Sequence, residues 1–245
     1  MKPLFLLLVV SLGLNTTAAL AMDDRAVTAA PFGGEPLRYV LTNEGTQPKY
    51  AVILMPGGTG RLGLPATDVP VGLKLSDNFL IRSRRLFADP QFVAASTSAT
   101  TTPGKIMAIV ADLESRYGKL KVYVIGTSRS TESTMALTKP LDGQVAGFVH
   151  TSSVNAIASL DPRGLKSRHL IVAHDRDGCR VTRPANAQAS HKSYGTDLIM
   201  MDGGRASTTI ARPGPITATT ASKKRPSTRS RPGSWLAASH SPVPI

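Results

Sequence analysis

The sequence predicts an α/β fold in which helices cover both faces of a mostly parallel sheet. Short apolar runs of the kind found in buried strands end in glycine or polar residues, and segments with helical spacing separate them. The chain has 245 residues, of which 41% are hydrophobic, enough for the packed core of one domain of ordinary enzyme size. Wholesale disorder is therefore excluded, and the single cysteine, Cys179, excludes a disulfide scaffold and a cysteine-based zinc cluster.

The first 21 residues have the pattern of an export signal. Lys2 supplies a positive charge, residues 4–14 are almost wholly apolar, and Ala19 and Ala21 provide the small residues of a signal-peptidase cleavage site. A membrane anchor is the alternative, but this apolar stretch is too short to cross about 30 Å of hydrocarbon. We therefore expect cleavage near Ala21 and an exported chain, periplasmic or secreted, without a transmembrane anchor.

Strand and helix patterns alternate through the middle of the chain. Residues 50–55 form an apolar run that stops at Pro56-Gly57-Gly58, which is typical of a strand buried on both faces. Helices are predicted over residues 106–117, from their apolar spacing, and over residues 131–137. Because this alternation favours a parallel sheet, we expect ligands at the carboxyl ends of the strands. The other predicted strands are residues 92–95, 120–125, 144–149, 169–173 and 197–201.

The segment Gly126-Thr127-Ser128-Arg129-Ser130 lies between a predicted strand and a predicted helix. In that context a serine flanked two places away by small residues is held on a tight, strained bend with its hydroxyl beyond the sheet, which is the position of a nucleophile. Ser130 stands where the pattern has glycine and adds a Cβ there. A purely structural turn is the alternative, and the strand-to-helix context favours the nucleophile.

A glycine-rich bend, Pro56-Gly57-Gly58-Thr59-Gly60, follows an early strand, where an oxyanion hole would need it. Such a hole requires two backbone N–H groups, and we expect one from Gly58 or Thr59 and the other from Arg129, the residue after Ser128. A phosphate cradle is one alternative, but the Lys-Ser/Thr ending of a P-loop is missing. A plain glycine turn is the other.

Asp177 is the predicted orienting carboxylate. In the chain order Ser, acid, His, a carboxylate that holds the histidine belongs just past the strand at residues 169–173. Asp175 is the reserve candidate, and a cap or a surface charge is the alternative reading of either residue.

Together these motifs resemble the α/β-hydrolase fold, in particular small exported serine hydrolases of the dienelactone-hydrolase-like group. The resemblance rests on Pro56-Gly57-Gly58, on Gly126-Thr127-Ser128-Arg129 and on Asp177-Gly178-Cys179, and it covers roughly residues 39–204. It implies hydrolysis of an ester or related acyl bond in a small-molecule substrate through a Ser–Asp–His triad, with no metal and no organic cofactor. Ser128 would attack the carbonyl, and Asp177 would hold a histidine that transfers the proton.

The triad histidine that the resemblance requires is missing from its expected place after the last predicted strand. His150, His169 and His174 precede Asp177, and His191 falls before that strand on a predicted helix. His240 is the remaining candidate, in a Pro/Ser-rich segment without helical pattern. We therefore expect impaired activity.

The composition changes abruptly near residue 205. Residues 205–245 hold seven Lys/Arg and no acid, so they carry +7 of the formal net charge of +13, and no apolar periodicity is visible. The expected organisation is a signal peptide over residues 1–21, a hydrolase-like domain over 22–204 without a normal final helix, and a disordered basic tail over 205–245.

A shifted reading frame would explain this tail. Reading the codons for residues 215–225 one base earlier permits Tyr-His-Gly-Tyr-Asn-Gly-Ile-Glu-Lys-Glu. This resembles the His-Gly turn that opens the final helix of these hydrolases. The same shift at Ile210-Ala211 permits a cysteine codon, which would give Cys179 a partner.

The alternative function is a non-catalytic secreted protein that binds through the hydrolase scaffold or the basic tail. The positive charge would suit a polyanion or an anionic surface. No nucleic acid is expected as a partner, because an exported chain meets anionic surfaces more readily.

Overall fold

An eight-stranded sheet organises the computed structural model, which describes residues 22–30, 37–64 and 75–203. The strands, in chain order, are β1 Asp23–Ala29, β2 Leu37–Asn43, β3 Tyr50–Met55, β4 Phe92–Ser96, β5 Lys121–Thr127, β6 Gly147–Thr151, β7 Arg168–His174 and β8 Asp197–Met201. The helices are α1 Phe79–Arg82, α2 Pro103–Tyr117, α3 Ser130–Leu137 and α4 Pro184–Tyr194, with short 3-10 segments at Arg84–Leu86 and Asn155–Ser159.

The order of strands across the sheet is β1-β2-β4-β3-β5-β6-β7-β8. β2 pairs antiparallel with β1 and β4, and every other neighbouring pair is parallel. The carboxyl ends of β3 and β5 to β8 therefore meet at one edge, where the turns that follow them converge. The predicted fold class, a mostly parallel sheet with helices, is confirmed.

The central strands are apolar on both faces because helices or loops cover both. On one face α2 and α3 pack on side chains such as Ile53 and Val124, and on the other α1 packs on Leu54 and Ile125. All six residues of β3 are buried. Burying one aliphatic side chain of this size contributes roughly 1.5–3 kcal/mol, so the sheet centre holds most of the core.

Two strands carry no clear signal in the sequence, and one lies elsewhere than predicted. β1 is an edge strand whose residues are exposed or half-buried except for buried Ala29, so it has no apolar run. β2 separates it from β4 and carries Arg38 and Thr42 among its apolar residues. The predicted strand at 144–149 starts at Gly147 instead, because the N–H groups of Gln144 and Val145 donate to the Leu141 carbonyl in a turn.

The last described strand is only half-buried. α4 packs on β7 and β8 through Ala187, on the same face as α3. Val172 and Ile199 point to the opposite face, that of α1, and stay partly exposed. Within the described ranges, no helix is long and apolar enough to cross a membrane. The predicted export signal and the predicted loss of a final helix lie outside the described residues.

Candidate active site

Ser128 occupies a strained turn between β5 and α3. Its φ of 52° lies in the left-handed region, which a residue with a Cβ rarely adopts. Its N–H donates to the Thr151 carbonyl at 3.0 Å, and its carbonyl accepts from the Thr131 N–H at 2.9 Å. Such strain costs on the order of 1–3 kcal/mol and is concentrated at functional sites. The side chain is half-buried at the edge where the strands end.

The residues on either side of Ser128 allow β5 and α3 to approach closely. A methyl group on Gly126 would lie 2.7 Å from the Ser130 carbonyl oxygen and 2.7 Å from the Thr134 methyl, so only glycine fits. Ser130, where the motif has glycine, is accommodated because its buried hydroxyl donates to the Pro56 carbonyl. This bond joins the start of α3 to the loop after β3.

The glycine-rich loop after β3 contacts the Ser128 turn through Gly57. A methyl group on buried Gly57 would lie 2.9 Å from Ser128 Cβ and 2.9 Å from the Thr127 carbonyl oxygen. Gly58 and Thr59 follow in this loop and are exposed. β3 and β5 are adjacent in the sheet, so the structure brings together the two turns predicted to form the oxyanion hole.

Two of the predicted oxyanion donors are N–H groups without a hydrogen-bond acceptor among the described residues. The backbone N–H groups of Gly58 and Arg129 donate no hydrogen bond to any described residue. Arg129 directly precedes α3 and is exposed. Paired N–H groups left free beside a nucleophile are what an acyl-transfer oxyanion needs.

Asp177 lies past the end of β7, two strands from β5. One carboxylate oxygen accepts from the Cys179 N–H at 2.9 Å, and the other accepts from the Thr182 hydroxyl at 2.8 Å. The group is therefore fixed in place, and each oxygen keeps a lone pair. Asp175 is exposed and lies 3.2 Å from His174 Nδ1, a surface ion-pair position. No contact among the described residues joins Asp177 to Ser128.

None of the described histidines bonds to Ser128 or Asp177. His150 and His169 are buried in the sheet on the α3 face, where burial lowers the pKa of His150 to about 3 and that of His169 to about 4. His174 lies at the edge of the sheet where the parallel strands end, but both of its ring nitrogens have hydrogen-bond partners. Nε2 bonds to the Gly203 carbonyl, and Nδ1 accepts from the Arg176 N–H. His191 lies on α4 with Nδ1 2.8 Å from the Thr196 carbonyl. His240 lies outside the described residues.

Several solved structures are similar in fold to this chain. No protein-family model matches the sequence, and no curated protein matches it. An α/β serine hydrolase without a lid from Xanthomonas campestris is 10% identical, with a TM-score of 0.51, over 74% of this chain and 84% of that one. A cold-adapted esterase from an Arctic intertidal metagenomic library is 12% identical, with a TM-score of 0.54, over 75% and 86%. A dienelactone hydrolase from Anabaena variabilis is 12% identical, with a TM-score of 0.52, over 74% and 86%.

The chain has the α/β-hydrolase fold. At these identities the likeness concerns the fold alone. In this α/β-hydrolase fold, Ser128 follows the central strand β5, and Asp177 follows β7. Among the described residues, no three His, Cys, Asp or Glu side chains are grouped as ligands for a metal ion.

Sequence reasoning did not single out two residues beside Ser128. Gly57 stood in the loop motif without a role, although a Cβ at this position would lie only 2.9 Å from Ser128 Cβ. Asn78 ends the loop before α1, where its side-chain oxygen accepts from the Leu80 N–H at 3.1 Å. An Asn before an apolar segment is a helix-capping signal, but α1 has only four residues and no periodicity to reveal it.

Proposed function

We propose that this chain is an exported serine hydrolase acting on an ester or related acyl bond, with activity impaired by the lack of a triad histidine. The observation that carries the proposal is the left-handed Ser128 at a strand-to-helix turn, with Gly57 packed against its Cβ. A turn with a purely structural role needs neither a left-handed backbone at Ser128 nor the close approach of the glycine-rich loop after β3.

The reaction that these residues support is acyl transfer. Ser128 Oγ attacks the carbonyl carbon, and the oxyanion accepts hydrogen bonds from the backbone N–H groups of Gly58 or Thr59 and of Arg129. The leaving alkoxide takes a proton as the C–O bond breaks, and water then hydrolyses the acyl-serine. Asp177 is anchored to orient a histidine that would carry these protons.

The expected rate of hydrolysis follows from the lack of a histidine that transfers protons. Without a histidine the serine proton must pass directly to solvent. Enzymes that lose a triad member keep roughly a 10³–10⁴-fold rate enhancement over water through the oxyanion hole and binding. We therefore propose slow turnover of small-molecule esters, the substrate class that esterases with this fold suggest, with no cofactor.

Imidazole added in solution can substitute for the absent side chain and tests the proposal. The hydrolysis of p-nitrophenyl acetate is measured with increasing imidazole for the wild type and for Ser128→Ala, whose rate is the background. We expect the wild type to exceed Ser128→Ala and the excess to rise with imidazole. Asp177→Asn should weaken that rise, while Asp175→Asn, at an exposed position, should leave it unchanged.

Two outcomes of this assay count against the proposal. A folded wild type that never exceeds Ser128→Ala would exclude Ser128 as a nucleophile. A fast wild-type rate that imidazole does not change would show that the chain already supplies its own base, and the impairment would be rejected.

A second candidate function is binding through the basic tail. Residues 205–245 hold seven Lys/Arg and no acid. If the tail binds anionic surfaces, deleting residues 205–245 should abolish salt-sensitive binding to phosphatidylserine vesicles. Unchanged binding by the truncated chain would reject this role.

A further inference from the structure

We infer that Asn78 supplies a side-chain hydrogen-bond donor to the oxyanion formed on Ser128, in addition to the two backbone N–H groups. The inference rests on the proposed hydrolase chemistry and deepens it. Neither the serine motif nor the glycine-rich bend includes this residue, which lies eighteen residues beyond Gly60, the end of the bend.

The orientation of the Asn78 amide is fixed by its role at the start of α1. The Leu80 N–H needs an oxygen acceptor, and Asn78 Oδ1 lies 3.1 Å from Leu80 N. The NH₂ group must therefore be the other end of the amide, because only oxygen can accept this hydrogen bond. The donor end of Asn78 consequently points away from the α1 backbone.

The donor end lies close to both Gly57 and Ser128. The point at which a methyl group on Gly57 would lie is 3.3 Å from Asn78 Nδ2 and 2.9 Å from Ser128 Cβ. Asn78 Nδ2 and Ser128 Cβ are therefore near neighbours beside Gly57, with too little room between them for a Cβ on residue 57. Within the described part of the chain, Asn78 Nδ2 has no acceptor of its own.

This arrangement suits a charge that appears only during the reaction. A neutral amide costs little to leave facing a half-open site, and its two N–H groups strengthen their bonds when the carbonyl oxygen becomes negative. Removing one such donor from an oxyanion hole lowers the rate by roughly 10²–10³-fold. A residue that only capped α1 would have no effect on the reactivity of Ser128.

Substitutions that keep the cap but remove the donor separate these two roles. Asp and Ser are good capping residues, so Asn78→Asp and Asn78→Ser retain an oxygen for the Leu80 N–H. Asn78→Asp replaces the amide NH₂ with a negative oxygen that repels the oxyanion, and Asn78→Ser withdraws the donor. Asn43→Asp is a matched control, because Asn43 Oδ1 likewise accepts from the N–H two residues later, that of Gly45, at 3.0 Å.

The readout is the second-order rate constant for phosphonylation of Ser128 by a fluorophosphonate in the presence of imidazole, with the melting temperature as a check of folding. The serine oxygen displaces fluoride from phosphorus, imidazole takes the serine proton, and the phosphoryl oxygen occupies the oxyanion site. We expect Asn78→Asp to slow labelling by roughly 100-fold or more and Asn78→Ser by at least about tenfold. Asn43→Asp should label like the wild type, and all three variants should melt within a few degrees of it.

The outcomes distinguish this inference from the proposed function. Labelling of the wild type together with wild-type rates for Asn78→Asp and Asn78→Ser would overturn the role of Asn78 and leave Ser128 as the nucleophile. A folded wild type whose Ser128 is never labelled would overturn the hydrolase chemistry, and the role of Asn78 with it.

Discussion

Gly57 determines how closely the loop after β3 can approach Ser128. A Cβ at this position would lie 2.9 Å from Ser128 Cβ, and neither atom is the end of a flexible side chain. We expect Gly57→Ala to displace the loop and to lower the rate of Ser128 phosphonylation by about 100-fold, since a shift of about 1 Å in a catalytic geometry costs this much.

Gly195→Ala, just after α4 and before β8, is the control for Gly57→Ala because it lies at the other edge of the sheet. A Cβ on Gly195 meets no atom within 4 Å, although its φ of 72° makes alanine mildly strained. This variant should lose about 1 kcal/mol of unfolding free energy and label within a few-fold of the wild type. Equal labelling by the two variants would show that Gly57 is an ordinary turn residue.

The strained turn at Ser128 could be predicted from sequence, but its surroundings could not. Ser128 is found by a local pattern, because the turn that strains it is built from its own neighbours. Gly57 and Asn78 reach it from two other segments of the chain, and their proximity depends on the order of the strands. A local pattern contains no information about such contacts.

At the scale of secondary-structure elements, β6 and β7 carry a histidine pair under α3. His150 Nδ1 is 2.8 Å from the Thr134 hydroxyl of α3, and His150 Nε2 is 3.5 Å from His169 Nδ1. The His169 ring stacks on Phe148, with centroids 5.3 Å apart. Burial lowers the pKa of both rings, to about 3 for His150 and about 4 for His169, although the charge of Asp142 acts to raise the pKa of His169. Both rings are therefore neutral in the folded chain at pH 7.

His150 and His169 make the free energy of unfolding depend on pH over a limited pH range. Between about pH 6.5 and the lowered pKa values, the unfolded chain binds protons that the folded chain does not. The free energy of unfolding should therefore fall as pH decreases, by up to about 1.4 kcal/mol per pH unit for each histidine. Urea denaturation at pH 7.5, 6 and 5 measures this slope.

Two variants test whether His150 and His169 cause the pH dependence of the unfolding free energy. His169→Phe can keep the stack on Phe148 and should flatten the pH dependence by about half. His191→Gln, at an exposed position on α4, should leave it unchanged. A wild-type unfolding free energy that is constant from pH 7.5 to 5 would contradict the buried, neutral state of the pair.

Strands could be predicted from the sequence where both faces of the sheet are buried. β3, β5 and β7 contain continuous apolar runs because both of their faces are covered. β1 lies at the edge of the sheet, where a strand does not need an apolar run. α1 has only four residues, which is too short to show the helical spacing of apolar residues. These elements arise from tertiary contacts, such as the bonds of Asp24 to Thr42 and Arg84.

At the scale of the whole molecule, the proposed triad depends on the chain beyond β8 for its histidine. The described part ends at Gly203, on the same edge as Ser128 and Asp177, so a histidine shortly after this point would be well placed. Val172 and Ile199 are half-buried on the face opposite α4, where a further helix would pack.

The nucleotide sequence over the codons for residues 205–225 tests the shifted-frame hypothesis. We expect the neighbouring frame to encode a His-Gly pair followed by a helical, charged segment. A stop codon, or no histidine, in that frame would reject the hypothesis and leave the basic tail as the native end of the chain.

The most direct test of Ser128 as a nucleophile is to locate a covalent adduct. The folded wild type, Ser128→Ala and Ser115→Ala, a control at an exposed serine of α2, are treated with a fluorophosphonate in the presence of imidazole and analysed by peptide mass spectrometry. We expect one adduct, on Ser128, in the wild type and in Ser115→Ala and none in Ser128→Ala. An adduct on a different serine, or a folded wild type without any adduct, would contradict the assignment of Ser128.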